Sequence, residues 1–361
     1  MAAGKNFPLN VWYAAAWEDD VGRTPLARTI CGFKVVIYRK QDGTVVALDD
    51  ACLHRLLPLS MGRLDGDNLV CGYHGMTFNG EGRCVRMPAP REKPASGAKI
   101  RSYPIIQRHR LAWIWMGDPA RADAQSIPDI HWASDPGWAA GVSHFDMACD
   151  FRLVLDNLMD LTHETFVHAT SIGHEKITEV PLTVEHDDQT VTLTRWMIDC
   201  DGPPFMAKQL RIARGTSAEH VDRWQIIRFE APNTIVIDVG LTPTATGATE
   251  GKRENGFNGR VLNTVTPQED GRCYYFFGYA RDFAIQDAAL TEELRAGNIK
   301  IFTEDKVILE AQQKSIDAHP ERRLINLGID QGSMWSRRLI SRMIDAETGQ
   351  GASEAREVAQ A

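Results

Sequence analysis

The chain has 361 residues, 43% of them hydrophobic, and a formal charge of −8 at neutral pH. That length allows two domains with ample core, and the acidic balance argues against nucleic-acid binding, which needs clustered Lys and Arg to neutralise phosphates. There is no run of about 18 apolar residues for a membrane span and no signal-like start, and the seven cysteines show no disulfide spacing, so a cytoplasmic protein with free thiols is expected.

Residues 8–118 are dense in short strand-like runs: Arg28 to Tyr38, Thr44 to Asp49, Leu69 to Cys71 and Leu111 to Met116. In the last, Trp113 and Trp115 alternate with Ala112 and Ile114, the period of a half-buried strand. Phe78-Asn79-Gly80-Glu81-Gly82 reads as a strand followed by a tight turn. Ala120 to Trp138, with Pro128 and Pro136, reads as a linker. Phe151 to His168 predicts a helix. Val184 to Trp196, Trp224 to Phe229, Thr234 to Leu241, Arg260 to Thr266 and Cys273 to Ala280 predict strands, and Thr242 to Gly259 a polar loop near a pocket mouth or the surface. Helical signals return at Thr291 to Ile316 and Met334 to Met343, and the small, polar tail 347–361 is expected to be disordered. An all-β first domain (1–120) and an α+β second domain (121–346), an antiparallel sheet with long helices, follow from this order.

Two motifs in the first block carry chemistry: Cys52-Leu53-His54 and Cys71-Gly72-Tyr73-His74, sixteen residues apart. Two thiolates and two imidazoles in alternating order are the ligands of a Rieske [2Fe–2S] centre, in which one iron takes both sulfurs and the other both ring nitrogens. Gly72 and Gly75 flank His74 and are free to take positive φ, letting the backbone wrap a cluster closely. A zinc site uses the same atoms, but its pairs more often hold like residues.

A second signal lies in Asp156-Asn157-Leu158-Met159-Asp160-Leu161-Thr162-His163, continuing to His168. On a helix Asp156, Asn157, Asp160 and His163 share one face, and burying so many polar groups is costly unless they are bonded or bind metal. His163 and His168 reach one ion only if the helix breaks or bulges between regular turns. Asp160 is then placed to hold the ring nitrogen of His163 that faces away from the ion. Late in the chain, the apolar stripe Ile301, Phe302, Ile308 and Leu309 puts Asp305 where a Leu belongs. Glu304, Lys306 and Glu310 are read as the solvated side of that helix. An inward carboxylate needs a cation, and two histidines plus one carboxylate make the facial triad of non-haem iron oxygenases. A buried Arg partner for Asp305 is the competing reading.

Together these motifs resemble the Rieske non-haem iron aromatic oxygenases, within them the branch that includes vanillate O-demethylase and, more distantly, dicamba demethylase. Cys52, His54, Cys71 and His74 match the cluster motif, Asp160-x-x-His163-x-x-x-x-His168 the mononuclear-iron motif, and Glu304-Asp305-Lys306 the late carboxylate. The resemblance runs over most of the chain, including Asn10-Val11-Trp12-Tyr13-Ala14 and Cys149-Asp150-Phe151-Arg152-Leu153. Leu53 and Leu56 depart from it, since relatives often carry Pro and Gly there. The resemblance implies an N-terminal Rieske domain followed by a helix-grip (START-like) catalytic domain, and His163, His168 and Asp305 holding Fe(II). It implies a homotrimer in which Asp160 bridges His74 of one subunit to His163 of the next, with Asn157 beside the iron. It also implies O2 as co-substrate and O-demethylation of a methoxybenzoate such as vanillate to protocatechuate and formaldehyde, a step in catabolism of lignin-derived aromatics. No Gly-x-Gly-x-x-Gly fingerprint is present, so NAD(P)H is expected to act through a separate flavin and iron–sulfur reductase. N-demethylation, ring hydroxylation and, further off, a Rieske electron carrier or a zinc-stabilised scaffold stay open at this point.

Overall fold

The computed structural model describes residues 6–88, 93–94 and 96–349. The chain divides into two compact units. One holds the described residues up to Ile127, with 266–270 and those from Ile344 onward, and the other holds Pro128–Val265 and Gly271–Met343. Among the described residues no helix is long and apolar enough to cross a membrane.

The first unit is built of short antiparallel strands: β1 (Trp12–Trp17), β2 (Leu26–Ile30), β3 (Phe33–Arg39), β4 (Val45–Asp49), β5 (Arg63–Asp65), β6 (Asn68–Val70), β7 (Thr77–Phe78), β8 (Cys84–Arg86), β9 (Ser102–Tyr103), β10 (Ile105–Arg108) and β11 (Leu111–Trp115). They form three sheets ordered β1-β11-β10, β2-β3-β4-β9 and β5-β6-β7-β8. The run from Arg28 to Tyr38 is two strands and not one, because Cys31 and Gly32 turn the chain at φ 51° and 84°. The turn after β7 is fixed by Asn79, whose Oδ1 accepts from the amides of Glu81 and Arg83 at 3.1 and 2.9 Å. A side chain that closes its own turn in this way explains why Asn stands there. Strand β1, every residue of it buried, went unrecognised in the sequence because an Ala-rich segment lacks alternation.

The second unit is a seven-stranded antiparallel sheet with helices. Its elements are β12 (Ala139–Met147), α1 (Phe151–Leu158), α2 (Glu164–Val167), α3 (Lys176–Glu179), β13 (Thr183–His186), β14 (Thr190–Cys200), α4 (Pro204–Arg214), β15 (Val221–Glu230), β16 (Thr234–Pro243), β17 (Phe257–Glu269), β18 (Arg272–Arg281), α5 (Ala288–Ala318) and α6 (Gln331–Thr348). Strand order is β12-β18-β17-β16-β15-β14-β13. Asp287 starts α5 by accepting from the amide of Leu290 at 2.9 Å. The inward face of α5 then runs Leu290, Leu294, Asn298, Ile301, Phe302, Asp305 and Leu309, steps of three and four with Ile301 and Phe302 side by side, as an amphipathic helix requires. Phe302 seats that face on Tyr275 and Phe277 of β18, ring centroids 5.5 and 4.8 Å away.

Two expectations need correcting here. The predicted helix Phe151 to His168 stops at Leu158, continues as a short 3-10 turn at Leu161–His163 and resumes as α2. The break comes at Asp160, which is extended at φ −133° and caps the next turn by accepting from the amide of Thr162 at 2.8 Å. The start of the expected disordered tail is ordered: α6 reaches Thr348, and Glu347 accepts from the amides of Leu9 and Asn10 at 2.7 and 2.8 Å. The rest of that tail, 350–361, lies outside the described residues.

Candidate metal centres and active-site cavity

In the first unit the two Cys–His motifs form loops of matching backbone design. The amide of Leu56 donates to the carbonyl of Cys52 at 2.9 Å, and the amide of Gly75 donates to the carbonyl of Cys71 at 3.1 Å. Each loop then closes, Cys52 N to Leu57 O at 3.0 Å and Cys71 N to Met76 O at 2.8 Å. Both fifth residues are left-handed, Leu56 at φ 56° and Gly75 at φ 78°. Gly72 differs from the sequence reading: its φ is ordinary, and the constraint is space, since a Cβ there stands 2.9 Å from the carbonyl oxygen of Met61.

These loops sort their donors by depth. Cys52 and Cys71 are 1% and 2% exposed, inside a core that includes Tyr38, Leu48, Leu69 and Phe78. His54 and His74 lie above them at the surface, their Nδ1 atoms 3.1 Å apart. Burial raises the pKa of the Cys52 thiol, with further upward pressure from the adjacent Cys71. Two buried sulfurs below two exposed imidazoles fit a binuclear cluster whose inner metal is sulfur-bound and whose outer metal is nitrogen-bound. A single tetrahedral ion does not require that segregation.

The second unit gathers His163, His168 and Asp305, whose ligating atoms all lie within 4.8 Å of one another. The helix break at Asp160 is what lets two histidines five residues apart converge. Asp305 Oδ1 stands 3.4 Å from His163 Nε2 and 3.2 Å from His168 Nε2. Burial pushes the Asp305 carboxyl up, but hydrogen bonds and charge from both imidazoles outweigh it and hold the group at about 2. The converse holds for the imidazoles: burial lowers them, but Asp305, together with Glu164 and, for His168, Glu304, leaves both raised. Donors so arranged stabilise positive charge among them, whether proton or metal ion.

The outer ring nitrogens are fixed as metal-binding histidines require. His168 Nδ1 stands 2.7 Å from a Glu304 carboxylate oxygen, so the reading of Glu304 as solvated surface is wrong: helical spacing puts it next to Asp305 but close enough to reach round to His168. His163 Nδ1 stands 2.5 Å from the backbone carbonyl of Asp160. That corrects a second detail, since the carboxylate of Asp160 is occupied with Thr162 and it is the main chain that orients the ring. Asn157 Nδ2 donates to Asp305 Oδ1 at 3.2 Å, beside the triad as expected. Asp156 turns the other way, to Arg337.

A cavity opens from the triad, with His163, His168 and Asp305 among its lining residues. Its wall is mostly apolar, with Leu161, Ile237, Val239, Val261 and Phe302 among the lining residues. Buried polar groups interrupt it. Arg223 Nη2 stands 3.1 Å from Glu164 Oε2, and Gln225 Nε2 donates to both Glu164 oxygens at 2.9 and 3.0 Å. Sequence reading missed these groups, although a signal was present. In β14 and β15 the inward positions alternate Val191, Leu193, Arg195, Met197 and Arg223, Gln225, Ile227, so the charges stand on apolar parity, as Asp305 does on α5. Burial lowers the pKa of Arg195.

Residues 147–346 match the vanillate O-demethylase oxygenase C-terminal domain and residues 11–104 the Rieske [2Fe-2S] domain. The chain is 42% identical over 341 residues to the vanillate O-demethylase oxygenase subunit of Pseudomonas sp. (strain HR199 / DSM 7063), covering 94% of this chain and 96% of the relative. It is 34% identical to the oxygenase component of dicamba O-demethylase of Stenotrophomonas maltophilia, covering 85% and 88%. A crystal structure of dicamba monooxygenase bound to 3,6-dichlorosalicylic acid superposes with a TM-score of 0.88 at 32% identity, over 95% of this chain and 99% of that one.

Proposed function

The chain belongs to the Rieske non-haem iron oxygenases of the O-demethylase type, and from that premise we propose that it removes the methyl group of a methoxybenzoate, vanillate being the leading candidate. Vanillate is the substrate named for the relative at 42% identity. The observation that carries the reading is a largely apolar cavity ending on two histidines and a carboxylate gathered within 4.8 Å. In this reading Cys52, His54, Cys71 and His74 hold the [2Fe–2S] cluster, and His163, His168 and Asp305 hold the mononuclear iron. The bound metals supply single-electron delivery and activation of O2.

The chain's own residues do the rest. Glu304 and the Asp160 carbonyl keep the two imidazoles turned toward the ion, and Asn157 steadies Asp305. The apolar wall excludes water and sets an aromatic ring with its methoxy carbon toward the triad. Hydroxylation of that carbon takes one O2, two electrons and two protons and gives water and a hemiacetal. The hemiacetal breaks its methyl C–O bond to leave a phenol and formaldehyde. Electrons come from a separate reductase using NAD(P)H, as the phrase oxygenase component implies for the dicamba relative.

We further propose a homotrimer in which the cluster of one copy faces the iron of the next, with Asp160 between His74 and His163. Two exposed apolar faces support it. Leu53, Leu56, Met61 and Tyr73, 44–74% exposed, belong to or neighbour the cluster loops. A groove reaching Asp160 and His163 is lined by Ile308, Leu324, Ile325 and Met334, also exposed.

The test is formaldehyde release from a panel of methoxybenzoates with reductase, NADH and air, alongside metal analysis. About three irons and two sulfides per chain are expected from one cluster plus one mononuclear site. In Asp305→Ala, turnover is lost while the cluster's colour stays. Full activity in that variant, or oxidation of every methoxybenzoate without formaldehyde, overturns the reading.

A further inference from the structure

At the cavity wall and just behind it, two buried guanidinium groups stand around one buried carboxylate. Arg223 is 2% exposed, Arg195 4% and Glu164 5%. Arg223 pairs with Glu164 and donates through Nη1 to the carbonyl of Ile172 at 3.2 Å, while its Nε has no partner among the described residues. Arg195, opposite Gln225 in the sheet register, makes one long contact to Thr162 Oγ1 at 3.4 Å, and its Nε and Nη1 have no partner there either. Asp160 is the other carboxylate whose field reaches Arg195, but it caps Thr162 and lines the separate groove. Guanidinium groups keep their charge when buried, so Arg195, Arg223 and Glu164 together carry an excess of positive charge. Arg223 and Glu164 both line the cavity, and Arg195 stands behind them. Among the described residues Arg223 is the cavity wall's one guanidinium, and Asn298, Gln209 and Tyr279 are neutral groups on the same wall.

We propose that Arg223 is the acid anchor of the cavity, receiving the oxyanion of an aromatic acid, with Glu164, itself held by Gln225, as the internal counter-ion that positions Arg223 and moderates its pull. This deepens the methoxybenzoate reading and rests on it for the aromatic ring. Glu164 adjoins His163 and lies one helical turn before His168, so the anchor stands beside the triad. An acid held there keeps a fixed register against the iron ligands.

The test is calorimetric binding to the iron-loaded holoenzyme of 4-hydroxy-3-methoxybenzoate, its sulfonate counterpart and 2-methoxy-4-methylphenol, which replaces the acid by a methyl group. Wild type binds an oxyanion at least about tenfold tighter than the methyl compound, and the tighter of the two oxyanions names the substrate's acid group. Arg223→Met removes that preference and leaves the methyl compound's affinity unchanged, and Arg223→Lys retains part of it. Glu164→Gln frees Arg223 of its counter-ion and tightens oxyanion binding several-fold, a gain that structural damage cannot mimic. An acid preference that survives Arg223→Met, or a Glu164→Gln protein that binds all three compounds more weakly, overturns the anchor. A holoenzyme that binds acids through Arg223 yet releases no formaldehyde refutes the demethylase reading and leaves the anchor standing.

Discussion

Glu304 and Asp305 are neighbours on one helix, and the pair shows how a single residue step separates a proposed ligand from its support. Asp305 meets both Nε2 atoms, while Glu304 meets Nδ1 of His168 from the other side of the ring. A carboxylate on the outer nitrogen raises the basicity of the inner one and locks the ring's orientation. Glu304→Gln keeps an acceptor but loses the charge, so Fe(II) affinity at the mononuclear site should fall by about tenfold, and Glu304→Ala by up to about a hundredfold. Chelator competition followed by iron counting measures this, with cluster absorbance as the internal control. Unchanged affinity in both variants removes Glu304 from the centre. Leu56 carries a different residue-scale lesson. It occupies the left-handed place that Gly75 fills in the twin loop, a conformation costing an L side chain about 1–2 kcal/mol, and at 74% exposure its side chain recovers little by burial.

At the scale of elements, α1 begins the chain's approach to the triad, and Asp150 anchors it. Its carboxylate accepts from the amide of Arg152 at 2.9 Å and pairs with the same residue's guanidinium at 2.8 and 2.9 Å. Burial raises the carboxyl's pKa, but the Arg152 contacts outweigh it and hold it below the ordinary value. A depressed folded-state pKa contributes stability that is present above the unfolded carboxyl's value near 3.9 and is lost as pH falls through the folded value. Asp150→Asn retains an oxygen for the cap and loses the pairing. Its melting temperature at pH 7 should be lower by roughly 2–4 °C, about 1 kcal/mol for a unit of this size. The gap to wild type should close as the pH drops from about 5 toward 3. A gap that is constant with pH removes the charge from the explanation.

Much of this site was readable because its residues violate local pattern. Asp305 interrupts an apolar stripe, and the Cys–His spacing is itself a ligand set. The helix break was legible only as a requirement, since nothing in Leu158-Met159-Asp160 marks it until Asp160 is seen to cap Thr162. The contact from Glu304 to His168 spans 136 positions and depends on how α5 lies against α2, which no local pattern encodes. Strand β12, paired along its whole length with β18, falls in the unassigned stretch between the predicted linker, which ends at Trp138, and the predicted helix, which begins at Phe151. Its outward residues carry no alternation strong enough to reveal it.

For the whole molecule the decisive question is where an electron goes after it reaches His54 and His74. The two proposed centres belong to separate units, and the proposed trimer sends the electron from one copy's cluster to the next copy's iron. That route can be separated from one within a single chain. His54→Ala removes an exposed cluster ligand and leaves Asp305 in place, whereas Asp305→Ala keeps the cluster and loses the iron. Each variant alone should be inactive. In trimers assembled at random from equal amounts of both, a productive interface needs an intact cluster on one side and an intact iron site on the other. For a ring with one direction of transfer, that order arises at roughly a quarter of the interfaces, so the mixture should recover about a quarter of wild-type formaldehyde release per chain. If transfer stays inside each chain, no mixture exceeds its parents, because no chain then holds both centres. Differently tagged copies purified in tandem leave only mixed trimers, each with one productive interface in three, so after that step the recovery should rise to about a third; their failure to co-purify would itself remove the trimer.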